Sequence, residues 1–91
     1  MSVTVRIPTP LRTATGGAST AELVGSTVGE VVTALDAAHP GVGSRILADD
    51  GKVRRFVNVF VDDEDIRFQQ GLDTPVRDGA TVSIIPAVAG G

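Results

Sequence analysis

A single amphipathic helical segment lies between segments with the alternating pattern of β-strands, and this combination restricts the fold more than any other feature of the chain. Four apolar residues in the stretch STVGEVVTALDAAH recur at helical spacing and share one face of a helix: Val28, Val31, Val32 and Leu35. Thr27 and Glu30 match a capping box, in which each side chain accepts a hydrogen bond from an unpaired backbone N–H. Because one helix can cover only one face of a sheet, the sequence predicts an α+β roll.

The strands around this helix are predicted from alternation and from β-branched content. They lie in SVTVRI, STAELV, RFVNVFV and TVSII, with a short edge strand in IRF, and VGSRIL adds a helical turn. A mixed sheet of four to five strands follows, in one domain over residues 1–86, because 91 residues are too few for two domains. We expect the helix to pack on the inward-facing strand residues, which are Val3, Val5, Ile7, Val57, Val59, Val82 and Ile84.

The face of the sheet opposite the helix must meet water or a partner. Alternation places Phe60 and Ile85 on that face, with Phe56 as a weaker candidate. Large apolar residues that are exposed together often mark a binding surface. We therefore predict that Phe60 and Ile85 form a partner-docking face.

Composition excludes several classes of function. The formal net charge of −3 argues against a nucleic-acid surface, which is normally basic, and the run KVRR is interpreted as a solvated loop. The absence of cysteine excludes disulfides, zinc thiolates and thiol nucleophiles. No apolar run has the length of a signal peptide or a bilayer span, so a cytoplasmic protein without a membrane partner is expected.

Patterns for catalysis or metal binding are weak. His39, the only histidine, is predicted at the helix end in a capping or solvent role, with no second His or Cys to complete a metal site. The run DDED at residues 62–65 lacks the alternating ligands of a calcium loop and is interpreted as a solvated turn. GVGSRI lacks the third glycine and the Lys-Ser/Thr of a phosphate loop. We predict no catalysis by this chain, no bound cofactor and no metal.

The final stretch, PAVAGG, is small and uncharged and follows a predicted core strand directly. Pro86 cannot donate to a β-ladder, so regular pairing should fail there. Residues 87–91 form a tail that, fully extended, reaches about 17 Å at roughly 3.3–3.6 Å per residue. Gly90 and Gly91 carry no Cβ and can enter a narrow channel. Composition alone leaves open both a frayed end and a functional tail.

The order strand, strand, helix, strand, strand, with a final Gly-Gly, resembles the ubiquitin-like β-grasp proteins, and more narrowly the sulfur carriers of the MoaD and ThiS type. The resemblance covers the whole chain and rests on TVGEVVTAL, FVNVFVDDEDIRF, DGATVSIIPAV and the terminal GG. It implies that an E1-like enzyme uses ATP and magnesium to adenylate the C-terminal carboxylate, and that a sulfur donor then replaces AMP. Carried over to this sequence, Gly91 bears the thiocarboxylate, and Gly90, Ala89 and Val88 belong to the tail motif.

The same resemblance implies further partners and leaves alternatives open. Carriers of this family supply sulfur for cysteine, thiamin, molybdopterin and other natural products. The stretches RFVNVFVDDEDIRF and IIPAVAGG resemble actinobacterial members and favour cysteine biosynthesis, in which a pyridoxal-phosphate enzyme accepts the sulfur and a metallopeptidase frees the product. The alternatives are the small subunit of molybdopterin synthase, a ubiquitin-like modifier joined to lysine, and an interaction domain with an idle tail.

Overall fold

The computed structural model describes residues 2–55 and 57–86. Its helices and strands, in chain order, are β1 (Ser2–Arg6), β2 (Thr20–Val24), α1 (Val28–Ala38), α2 (Val42–Ile46), β3 (Val57–Val61), β4 (Glu64–Asp65) and β5 (Thr81–Pro86). The five strands form one sheet in the order β2-β1-β5-β3-β4. The β1–β5 pair is parallel, and the other three pairs are antiparallel. The mixed sheet and the single main helix confirm the predicted α+β roll.

The core lies between α1 and one face of the sheet. All four residues of the predicted helix face are at most 1% exposed. The seven strand residues predicted to face them belong to the same buried cluster. The core also takes in residues from segments where no buried position was predicted: Leu11, Val42, Ile46, Ile66, Val76 and Ala80.

The capping box at the start of α1 differs from the predicted one in one of its two hydrogen bonds. Thr27 Oγ1 accepts the backbone N–H of Glu30 at 3.2 Å, as the sequence predicts. Glu30 Oε1 accepts the backbone N–H of Ser26 at 3.0 Å and the Ser26 hydroxyl at 2.9 Å. These bonds to Ser26 lower the pKa of the Glu30 carboxyl. The helix is therefore fixed to the residue before its cap as well as to the cap itself.

The predicted edge strand at IRF is wrong. Residues Ile66–Phe68 form a single 3₁₀ turn, and the edge strand is the preceding pair, Glu64–Asp65. Asp65 Oδ1 accepts the backbone N–H of Arg67 at 2.9 Å and so begins the turn. The turn buries Ile66 to 2% exposure and leaves Phe68 84% exposed. This arrangement buries one apolar residue of IRF in the core and keeps the β4 edge short.

The turn between β3 and β4 holds two non-glycine residues in the left-handed region. Asp62 and Asp63 connect the paired residues Val61 and Glu64, with φ of 49° and 73°. Two-residue hairpins of this kind require positive φ at both central positions. Asp62 Oδ1 also accepts the Thr81 N–H at 3.0 Å, which ties the turn to the start of β5. Asp62 therefore has a structural partner, and Asp63 is the better position at which to test backbone strain.

We expect the Asp63→Gly variant to be more stable than Asp63→Ala by about 1 kcal/mol, because a Cβ is costly in the left-handed region. Urea unfolding of both variants measures the difference. Equal stability, or a more stable alanine variant, would show that the turn does not retain this conformation in solution.

Candidate functional site

The two residues predicted for a docking face lie together on the sheet face opposite α1. Phe60 pairs with Ser83, and Ile85 pairs with Asn58, so Phe60 and Ile85 are diagonal neighbours across β3 and β5. Ile85 is 48% exposed, and Phe60 is half-buried. The predicted strand parity and the predicted β3–β5 neighbourhood are therefore confirmed. Their use by a partner stays a prediction.

Polar and charged groups flank this apolar pair. Arg6 of β1 pairs with Ser83, so it lies on the same face as Phe60 and Ile85. On the other side, Arg67 Nη2 donates to Asn58 Oδ1 at 2.7 Å and to Asp65 Oδ2 at 2.9 Å. The face thus offers an apolar centre between two cationic side chains.

The Arg67–Asp65 pair sets the charge state of one edge of the face. Hydrogen bonds from the Arg67 side chain, together with its backbone N–H, lower the pKa of the Asp65 carboxyl. The same carboxylate raises the pKa of Arg67. Both groups therefore stay charged at neutral pH, and the guanidinium is held against Asn58.

The sequence pointed to some of these flanking groups and missed others. Alternation places Arg6 and Asn58 away from the helix, so their position was available from the strand pattern. Arg67 gave no such signal, because it reaches the face from a 3₁₀ turn rather than from a strand.

The end of β5 determines where the tail begins. Pro86 is the last residue of β5 and pairs with Val57, the first described residue of β3. The described part of the chain therefore ends at Pro86, directly after Ile85 and beside the beginning of β3. The predicted functional positions Val88, Ala89, Gly90 and Gly91 lie outside the described residues, as does Phe56.

The acidic and glycine-rich segments have structural partners. In the DDED run, Asp62 and Asp65 accept the bonds described above, and Glu64 accepts the side-chain amide of Gln69 at 2.6 Å. In GVGSRI, Asp36 Oδ1 accepts the N–H groups of Gly41 and Gly43, at 3.1 and 2.9 Å. Over residues 2–55 and 57–86, no group of three acidic or histidine side chains is arranged to hold a metal ion.

Two predictions about individual positions can also be compared with the structure. His39 follows the last residue of α1 as its C-cap, and its backbone N–H donates to the Leu35 carbonyl at 2.8 Å. This confirms its predicted place at the helix end. Within the described part of the chain, no helix is long and apolar enough to cross a bilayer.

Comparisons with known proteins identify a family for most of the chain. The profile of the ThiS family matches residues 5–91. The Sulfur carrier protein CysO of Mycobacterium tuberculosis is 48% identical over 93 residues, which cover 100% of both chains. Small archaeal modifier protein 3 of Haloferax volcanii is 38% identical over 66 residues, or 72% of this chain and 71% of that protein.

Solved structures share the fold. A chain in the crystal structure of the Amycolatopsis orientalis BexX/CysO complex is 50% identical, with a TM-score of 0.92 over 98% of this chain and 99% of that one. The crystal structure of Mycobacterium tuberculosis CysO is 46% identical, with a TM-score of 0.90 over 94% of this chain and 99% of that one. These similarities confirm the β-grasp roll.

Proposed function

Because the chain belongs to the ThiS family, we propose that it is a sulfur carrier that holds its sulfur as a thiocarboxylate on Gly91. The observation that supports this most strongly is the full-length similarity to a protein named as a sulfur carrier. The family match also extends through Gly90 and Gly91. Val88 and Ala89 complete the tail that a partner enzyme would receive.

The loading reaction has two steps, both in a partner enzyme of the E1-like class. First, the Gly91 carboxylate attacks the α-phosphorus of ATP, with magnesium on the phosphates, to give an acyl adenylate and pyrophosphate. Second, sulfide supplied by a sulfur donor attacks the acyl carbon. AMP leaves with one oxygen of the original carboxylate and a proton is released, so that this oxygen is replaced by sulfur. A carboxylate is a poor acyl donor, so the activation comes from the partner.

In this proposal the chain is a protein substrate rather than an enzyme. Without cysteine, it cannot hold sulfur on a thiol of its own. A C-terminal acyl group suffices for that purpose. The acceptor is a biosynthetic enzyme, with a pyridoxal-phosphate cysteine synthase as the first candidate and a metallopeptidase that releases the product as a further partner.

The apolar pair on the open face is the proposed docking point for the partner. Ile85 lies next to Pro86, so a partner that covers Phe60 and Ile85 also holds the root of the tail. One docking event would then both bind the domain and direct Gly91 into the partner's active site. The flanking Arg6 and Arg67 bring hydrogen-bond donors to the rim of the contact.

We expect Phe60→Asp and Ile85→Asp each to weaken binding to the E1-like enzyme, because a carboxylate would be desolvated in the contact. Titration calorimetry measures the affinity, and urea unfolding measures stability. Val24→Asp is the matched control, since Val24 is 69% exposed on the outer strand β2. Normal binding by both test variants would place the docking face elsewhere, and easy unfolding of both would assign these residues to the core.

Intact-mass analysis tests the proposed function. The purified chain is incubated with an E1-like enzyme, ATP, magnesium and a sulfur source. We expect the mass increase for the exchange of one oxygen for one sulfur, located in the C-terminal peptide. An unchanged mass, when a known carrier is loaded under the same conditions, would refute the thiocarboxylate.

A modifier function is the second candidate, because the chain is also similar to a protein named as a small archaeal modifier. In that case the activated Gly91 would form an isopeptide bond with a lysine of another protein. Tryptic peptides that carry residues 78–91 on a lysine would indicate conjugation, because Arg77 is the last residue after which trypsin can cleave this chain. A free thiocarboxylate indicates sulfur transfer instead. The two readouts are independent and can be obtained from one preparation.

A further inference from the structure

Six of the chain's eight basic residues line two cavities near the end of β5. One cavity includes residues 83–85 of β5, and the other includes Val57, which pairs with Pro86. The strand β5 lies between β1 and β3, and one cavity is found on each side. On the β3 side, a cavity of about 570 Å³ is lined by Lys52, Arg54, Arg55 and Arg67. On the β1 side, a cavity of about 450 Å³ is lined by Arg6 and Arg12. We call these six residues the basic end.

The basic end contrasts with the charge of the whole chain. The chain has 11 acidic residues and a net charge of −3. None of these acids is among the described residues that line the two cavities, and Asp65 reaches the basic end through its ion pair with Arg67. The cations of the basic end come from four separate stretches of sequence, so they meet only in the fold.

The opposite end of β5 lies beside acidic side chains. The β3–β4 turn lies beside the start of β5, where Asp62 bonds to Thr81. The cavity at this end is lined by Asp62 and Glu64, with Arg77 as its only basic residue among those described. The domain therefore has opposite charges at the two ends of β5, and the tail leaves from the positive end.

The rim of the β3-side cavity has cations with free donors and an apolar wall. Lys52 and Arg55 are exposed, and within the described residues neither side chain makes a hydrogen bond or ion pair. Val53, Val57 and Leu72 form part of the wall. Such a rim attracts carboxylates, and the wall can receive aliphatic side chains next to them.

From this arrangement we propose that the basic end docks on an acidic protein surface, one that surrounds the entrance through which a partner enzyme receives the tail. This inference rests on the proposed function, since it requires a partner that accepts residues 87–91. Complementary charge speeds association and orients the encounter. The opposite charges at the two ends of β5 would orient the domain with its tail towards the partner's entrance. This would happen before Phe60 and Ile85 contact the partner.

Association kinetics test the proposal, with BexX of Amycolatopsis orientalis as the probe. The rate constant for binding is measured at low and high salt for the wild type, Arg55→Glu and Arg6→Glu. The control is Arg77→Glu, which makes the same charge change at the acidic end. At low salt we expect the association rate constant of each test variant to fall at least about threefold. That of the control should change by less than about twofold. High salt should remove the difference, because the Debye length falls from about 10 Å at 0.1 M to about 3 Å at 1 M.

The initial rate of sulfur loading by the E1-like enzyme gives a second readout for the same variants. If the wild type is loaded, and Arg55→Glu, Arg6→Glu and Arg77→Glu are loaded at equal rates at every salt concentration, the basic-end proposal is overturned. The proposed function then remains intact. Failure of the wild type to load refutes the proposed function instead, and the BexX kinetics still decide the docking. No association with BexX together with no loading would count against both proposals.

Discussion

Deletion of Gly90 and Gly91 is expected to abolish sulfur loading and to leave the free energy of unfolding unchanged. The tail follows β5, and the described core contains no residue after Ile84. Under the proposed function, loading depends on the carboxylate of Gly91. Intact-mass analysis measures loading, and urea unfolding measures stability.

One residue appended after Gly91 provides the matched control for this deletion. The appended variant keeps both glycines and a free carboxylate but moves that carboxylate away from Gly91. We expect it to fold normally and to remain unloaded. Full loading of either variant would show that Gly91 is not the site.

Leu35→Ala is expected to lower the free energy of unfolding by about 2–5 kcal/mol, which is the usual range for a fully buried leucine. Leu35 is 0% exposed, and it lies on the face of α1 that packs against the sheet. Urea unfolding measures the loss. Val24→Ala removes aliphatic volume at a 69% exposed position and should cost less than about 1 kcal/mol. A loss below that level for Leu35→Ala would mean that the helix face is misassigned.

The helix and the strand parity could be predicted because each depends on a long periodic pattern. The spacing of Val28, Val31, Val32 and Leu35 has no strand alternative, and the alternation in VNVFV and TVSII assigns Phe60 and Ile85 to one face. Both features were found where they were expected. The location of the apolar pair, Phe60 and Ile85, could therefore be predicted from the sequence.

Short segments and long-range side-chain pairs were not predictable in the same way. The three residues of IRF fit an edge strand as well as a 3₁₀ turn. The turn is favoured by the Asp65 bond to the Arg67 N–H and by the burial of Ile66 in the core. The basic end was missed for a different reason. KVRR taken alone is consistent with a solvated loop. That it lies at the same end of β5 as Arg6 and Arg12 depends on the placement of β5 between β1 and β3.

The position of β5 in the sheet also affects how the protein is made. β5 pairs with β1 on one side and β3 on the other, and its register with β1 joins Thr4–Arg6 to Thr81–Ser83. The central strand is therefore the last of the five described strands to be synthesised, and its pairing with β1 joins residues more than 70 positions apart, which is slow. A nascent or prematurely terminated chain that lacks residues 81–86 loses two of the four strand pairs and exposes its core to proteases. The sheet can therefore be completed only after residues 81–86 have been translated.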